Sequence, residues 1–175
     1  MKILVIIIVG VIAAIILLVC VIALIGSRLS KSHTVTRSIF LRQSPQNVYD
    51  VIRDFPSAPA WRSGVKRVDV QTQLNGKVHL REVGKNGTVN YELAEDVPGE
   101  RMVTQILDTD LGYSGKWTFV FAPENGGARV MITEDGEVSN ALFRFMSRYV
   151  FGHTATLDAY LSSLARRFGE DTAPQ

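Results

Sequence analysis

The sequence predicts an α+β protein in which a curved antiparallel sheet of seven strands wraps around a long C-terminal α-helix, preceded by one N-terminal transmembrane helix. Three observations carry this. The first 26 residues are almost wholly apolar. The middle of the chain alternates apolar and polar residues between Asn-Gly turns. The segment Asn140–Gly169 returns to helical spacing. The organisation that follows is an anchor over 1–26, a linker over 27–33, a domain over 34–169 and a tail over 170–175.

Ile3 to Ile25 is an uncharged apolar run of 23 residues. As a helix it is roughly 35 Å long, enough for a bilayer core of about 30 Å. A helix satisfies every backbone group internally, as lipid demands. A cleaved signal peptide has a shorter apolar core and a small-x-small site, and Leu24-Ile25-Gly26 is a poor one. A lipid anchor at Cys20 is disfavoured by Val19, where a small residue is wanted, and by the apolar run continuing beyond it. The expectation is an uncleaved single-pass anchor that contacts the bilayer through residues 3–25. Lys2 and the amino terminus on one side against Arg28, Lys31 and Arg37 on the other lean by about one charge towards a cytoplasmic domain.

After the polar linker Ser27–His33, Val35–Arg42 alternates as a strand. Ser44 and Pro45 start a helix as N-cap and first helical residue, and Val48, Tyr49, Val51, Ile52 and Phe55 follow at helical spacing. Pro56 and Pro59 end it before Trp61. Six strands then follow: Val65–Leu74, Lys77–Gly84, Thr88–Val97, Arg101–Thr109, Gly115–Pro123 and Ala128–Val138. Asn75-Gly76, Asn86-Gly87 and Asn125-Gly126 are hairpin signals between them. From Asn140, the residues Leu142, Phe145, Met146, Tyr149, His153, Leu157, Tyr160, Leu161, Leu164 and Phe168 form one apolar stripe. Gly152 interrupts it, as a kink or as the break between two helices. Gly169 is a C-cap position.

The net charge of +2 hides a neutral domain. Lys2 precedes the apolar run and all 17 acidic residues follow it, leaving 18 basic against 17 acidic. No basic stripe is interleaved with aromatics, which argues against nucleic acid as a partner. Cys20 is the single cysteine and sits in the apolar run, so the domain has no disulfide and no thiolate metal site. His33, His79 and His153 lack ligand spacing, and no metal is expected. There is no phosphate-binding glycine motif, so no nucleotide cofactor is expected. Gly112-Tyr113-Ser114-Gly115 lacks the second glycine of a nucleophile elbow and joins two strands; it reads as a loop at a cavity mouth.

A large sheet around one helix leaves an apolar cleft between sheet, helix and the Phe55–Trp61 corner, the usual form of a ligand pocket. Its candidate lining residues are Trp61, Leu80, Tyr91, Leu93, Trp117, Phe119, Ile132, Phe145, Tyr149 and His153; each is otherwise an ordinary core residue. His33 falls in the linker and His79 in a strand beside Arg81, so His153 alone is placed to see the cleft. Glu134, Asp135 and Glu137 read as a solvated strand end. Glu82 and Glu92 pair with Arg81 or Lys116 across strands, or one of them turns inward as a buried acid.

Val35–Phe55 (Val-Thr-Arg-Ser-Ile-Phe-Leu-Arg-Gln-Ser-Pro-Gln-Asn-Val-Tyr-Asp-Val-Ile-Arg-Asp-Phe), followed by Trp61 and Val65-Lys-Arg-Val-Asp, resembles the opening of the polyketide cyclase/dehydrase and lipid-transport (SRPBCC, START-like) superfamily. Gly115-Lys-Trp-Thr-Phe-Val-Phe-Ala-Pro and Ala128-Arg-Val-Met-Ile-Thr-Glu-Asp-Gly-Glu-Val resemble its late hairpin, and Leu157-Asp-Ala-Tyr-Leu-Ser-Ser-Leu its terminal helix. The resemblance spans Thr34 to Gly169 and implies a helix-grip fold with an internal cavity for an apolar molecule. It hands over no catalytic residue, because function on such a fold lives in the site. Three readings stay open. The first is membrane-anchored binding or carriage of a hydrophobic small molecule, lipid-like or polycyclic. The second is a cyclase- or dehydratase-type enzyme with His153 or a buried Glu as base and Tyr91 or Tyr149 as donor. The third is a protein-interaction module with a filled core.

Overall fold

The structure is a computed structural model and describes residues 2–175. The chain divides into two compact units. One comprises residues up to 31 with 138–153; the other comprises 32–137 with 154–175.

The second unit holds the sheet. Strand β1 (Ser32–Leu41) leads to helix α2 (Pro45–Arg53) and a 3-10 turn (Phe55–Ala60); the number α1 belongs to the N-terminal helix Lys2–Arg28 of the first unit. Strands β2 (Val65–Thr72), β3 (Val78–Gly84), β4 (Gly87–Val97), β5 (Arg101–Ile106), β6 (Tyr113–Glu124) and β7 (Gly127–Val138) follow. The sheet order is β1-β7-β6-β5-β4-β3-β2. Consecutive strands from β2 onward are neighbours, as a meander requires, and β1 returns to pair antiparallel with β7 from Ser32↔Glu137 to Leu41↔Ala128. The ladder explains why β1 starts at Ser32 rather than Val35. His33, at the end of the expected linker, and Thr34, ahead of the expected strand, continue the pairing opposite Gly136 and Asp135. Ser44 caps α2 by accepting from the Asn47 N–H at 3.2 Å, with Pro45 at the first helical position.

Helix α4 (Ala155–Arg167) packs on one face of this sheet. Leu157, Leu161 and Leu164 are fully buried against Ile39, Leu41, Met102, Phe119, Phe121, Val130 and Ile132. Each such side chain contributes roughly 1.5–3 kcal/mol relative to its exposed state. The C-terminal residues also pair with the sheet. Ser38 and Gln175 exchange backbone hydrogen bonds of 2.9 and 2.8 Å, which covers the outer edge of β1.

The helical stretch after Asn140 is in pieces, so Gly152 marks a break between helices rather than a kink. Helix α3 (Ala141–Met146) runs into a π turn (Ser147–Phe151), and Gly152 at φ +75° separates these from α4. That left-handed conformation ends helical winding and suits glycine alone. The gap falls between the two units, and α4 alone belongs to the unit of the sheet.

In the first unit α1 is strongly apolar, and its apolar stretch is not buried against the rest of the protein. It is long and apolar enough to cross a membrane. Helix α3 packs on the end of α1. Arg144 is buried and donates to the Gly26, Val138 and Ser139 carbonyls at 2.8, 3.1 and 3.0 Å.

Candidate functional site

The register fixes which side chains share the inner face of the sheet. Val78, Leu93, Thr104 and Trp117 form one row across β3 to β6; Leu80, Tyr91 and Ile106 form the next. Side chains alternate along a strand, so Phe119 joins Trp117 on this face. In β7 the alternation places Ala128, Val130, Ile132 and Glu134 together, and in β1 His33, Val35, Arg37, Ile39 and Leu41.

Burial along this face is graded. Phe119, Ile132 and Leu80 are core residues. Trp61, Leu93 and Trp117 pack against the main core cluster and Tyr91 against a smaller one around Ala58, Val68 and Leu80, and all four are only partly buried. Tyr160 of α4 is the hub. Its ring meets Trp61, Trp117 and Phe119 at centroid distances of 5.3, 5.5 and 5.7 Å, the first two edge-on. Seven of the predicted lining residues therefore share one face of the second unit. Phe145, Tyr149 and His153 belong to the first unit. There Phe145 and Tyr149 stack at 5.0 Å, and His153 Nδ1 lies 3.0 Å from Ser147 Oγ.

Polar groups are embedded among these aromatics. Arg62 clamps Glu82 with bonds of 2.7 and 3.2 Å, and its guanidinium lies over the Tyr160 ring at 5.0 Å. Burial opposes the Arg62 charge, but Tyr160 and Glu82 outweigh it and hold the group above its ordinary value. Burial pushes the Tyr91 and Tyr160 phenols well above the usual tyrosine range, and the Glu82 charge adds to this in both. Beside them the Trp61 indole N–H is buried without a hydrogen-bond partner among the described residues. A buried donor of this kind is costly unless something accepts from it.

A second polar group marks the other end of the face. The Trp117 indole N–H donates to Glu134 Oε2 at 2.8 Å, and Glu134 Oε1 stands 3.0 Å from His33 Nε2. An open cleft of about 450 Å³ adjoins it, lined by His33, Gln105, Ile106, Ser114, Lys116 and Asp135 among others. Ser114 and Gly115, expected in a loop at a cavity mouth, lie in β6 and line this cleft. Among the described residues no group of three or more His, Cys, Asp or Glu side chains is placed to hold a metal.

Several placements correct the sequence reading. His33 lies in β1 rather than a linker and meets Glu134, so it shares the inner face. Glu134 is an inward, twice-bonded carboxylate rather than a solvated strand end. Its parity with Ile132 and Val130 was the available signal. Glu82 turns inward but pairs with Arg62, not Arg81. Glu92 pairs with Lys77 at 2.9 Å and with His79 at 3.4 Å, and Lys116 faces Asp135 at 3.7 Å. Arg62 carried no signal in its own neighbourhood, since its partner is 20 residues away.

Solved structures share this architecture. A START superfamily protein from Mycobacterium smegmatis is similar with a TM-score of 0.60 and 14% identity, over 77% of this chain and 96% of that one. A protein from Thermus thermophilus gives 0.61 and 20% over 77% and 96%. Norcoclaurine synthase from Thalictrum flavum gives 0.59 and 10% over 79% and 87%. At these identities the likeness is one of fold. No curated protein sequence matches the chain. The family model described as polyketide cyclase/dehydrase and lipid transport matches residues 32–169. The chain belongs to the polyketide cyclase/dehydrase and lipid transport family.

Proposed function

We propose that this protein binds a hydrophobic small molecule, lipid-like or polycyclic, on the inner face of its sheet while α1 anchors it in a membrane. The observation that carries the reading is the graded burial of that face. Where α4 covers it, the side chains are fully buried; at Trp61, Tyr91, Leu93 and Trp117 large apolar groups remain partly exposed beside a Trp61 N–H that has no partner among the described residues. Mostly apolar walls with one or two convergent polar groups are what a ligand of this chemistry needs. Trp61, Leu80, Tyr91, Leu93, Trp117, Phe119 and Ile132 form the wall, and the Trp61 N–H donates to a carbonyl or hydroxyl oxygen of the ligand. The family's association with lipid transport and the exposed apolar length of α1 support the same reading. An anchor keeps the domain beside the phase in which such ligands dissolve.

A second reading has its own observation. The His33–Glu134 contact of 3.0 Å beside an open cleft resembles a general base with its orienting carboxylate, which suits cyclase-type proton transfer.

Fluorescence separates binding from its absence. Both tryptophans of the chain belong to the wall. Titrating the full chain with brominated fatty acids or a brominated polyaromatic produces saturable quenching, halved in Trp61→Phe and in Trp117→Phe. Quenching that stays linear with every ligand, or survives unchanged in both variants, contradicts the proposal.

A further inference from the structure

The first unit distributes charge and apolar surface in the reverse of a water-borne helix. Residues 1–31 and 138–153 contain Lys2, Arg28, Lys31, Arg144 and Arg148 and no aspartate or glutamate. In the segment Ala141–Val150 the charged Arg144 is 7% exposed, whereas Leu142, Phe143, Tyr149 and Val150 are 40%, 53%, 60% and 57% exposed. Arg144 spends its donors on carbonyls, Gly26 of α1 among them, so the segment is fixed to the last turns of that helix. The approach is close: a Cβ on Gly26 would collide with the Ala141 carbonyl oxygen. The apolar run of α1 ends at Ile25, one residue before this junction. Arg28, Lys31 and Arg148 are exposed around it.

We propose that Ala141–Phe151 is an interfacial foot lying in the headgroup region of an anionic phospholipid bilayer. Leu142, Phe143, Tyr149 and Val150 face the acyl chains, and Arg28, Lys31 and Arg148 face lipid phosphates. Apolar and aromatic side chains favour that boundary, and basic residues just beyond a membrane span are drawn to anionic headgroups. A patch of this kind is a liability in water and an asset at a membrane surface. The inference rests on the reading of α1 as a membrane span.

The test uses the full chain in vesicles of phosphatidylcholine and phosphatidylglycerol. In a Cys20→Ser background, single cysteines replace Leu17, Phe143, Tyr149 or Gln71 and carry an environment-sensitive fluorophore. Gln71 is exposed on β2 and serves as the aqueous reference. Spin labels deep in the acyl chains quench the Leu17 site, and labels near the headgroups quench the Phe143 and Tyr149 sites several-fold more than Gln71. Replacing phosphatidylglycerol with phosphatidylcholine lowers the signal at Phe143. Quenching at Leu17 with Phe143 and Tyr149 matching Gln71 overturns the foot and leaves the anchor standing. No quenching at Leu17 removes the anchor and the foot with it. A Phe143 signal indifferent to anionic lipid contradicts the role given to the basic residues.

Discussion

Trp117 and Glu134 tie neighbouring strands of the inner face together through the indole N–H, which donates to the carboxylate at 2.8 Å. The same carboxylate meets His33 with its other oxygen. Glu134→Ala strands the indole donor and removes one partner of the His33 imidazole, which lowers the unfolding free energy by about 1–3 kcal/mol. Glu134→Gln keeps an acceptor for Trp117 and costs less. Urea unfolding of the two variants checks the order; equal stabilities contradict it.

Arg62 and Glu82 form the best-paired charges among the aromatics, with side chains 23% and 19% exposed. Removing one partner leaves the other poorly solvated, so Arg62→Met or Glu82→Leu alone destabilises by about 3 kcal/mol. The double variant loses less than the sum, because no unpaired charge remains. A double-mutant cycle on unfolding free energy measures this. Additive losses would show that the pair is not coupled.

These two pairs show what the sequence could carry. Alternation alone put Trp117, Phe119 and Ile132 on one face, because a pleated strand has a fixed period of two. The Asn-Gly turns set the hairpins for a similarly local reason. Arg62–Glu82 and His33–Glu134 join residues 20 and 101 positions apart, and no local pattern encodes such partners. The polar composition around His33 points to a linker, whereas its place is decided by a ladder partner on β7. The stripe from Leu142 to Phe168 leaves a kink and a break at Gly152 equally open, because apolar spacing continues across it. A single residue at positive φ redirects the chain without disturbing that spacing.

Tyrosine ionisation sets the alkaline limit of stability. Burial raises the Tyr91 and Tyr160 phenols, so above about pH 10 the unfolded chain loses protons that the folded chain keeps. The unfolded state then binds fewer protons, and stability falls as pH rises; below that range these groups give no slope. Unfolding midpoints measured from neutral to strongly alkaline pH follow this curve, and Tyr91→Phe with Tyr160→Phe flattens it. An unchanged slope in the double variant contradicts the assignment.

Gly26 permits α3 to sit directly on α1. A side chain there meets backbone, not a movable group, so Gly26→Val separates the two helices. A disulfide engineered between the end of α1 and α3 forms readily in the parent chain and several-fold more slowly in the variant. Equal rates would show that the contact is not needed.

The central claim is that the inner face holds an apolar molecule. Thr104 lies between Leu93 and Trp117 in one row of that face, and Thr104→Phe fills the space in front of them. The decisive measurement is mass spectrometry of organic extracts from the full chain and from this variant, purified identically and matched for circular dichroism. The account predicts an apolar compound near one per chain in the parent and its loss in the variant. The same compounds in equal amounts from both, or none beyond the detergent background, would contradict it.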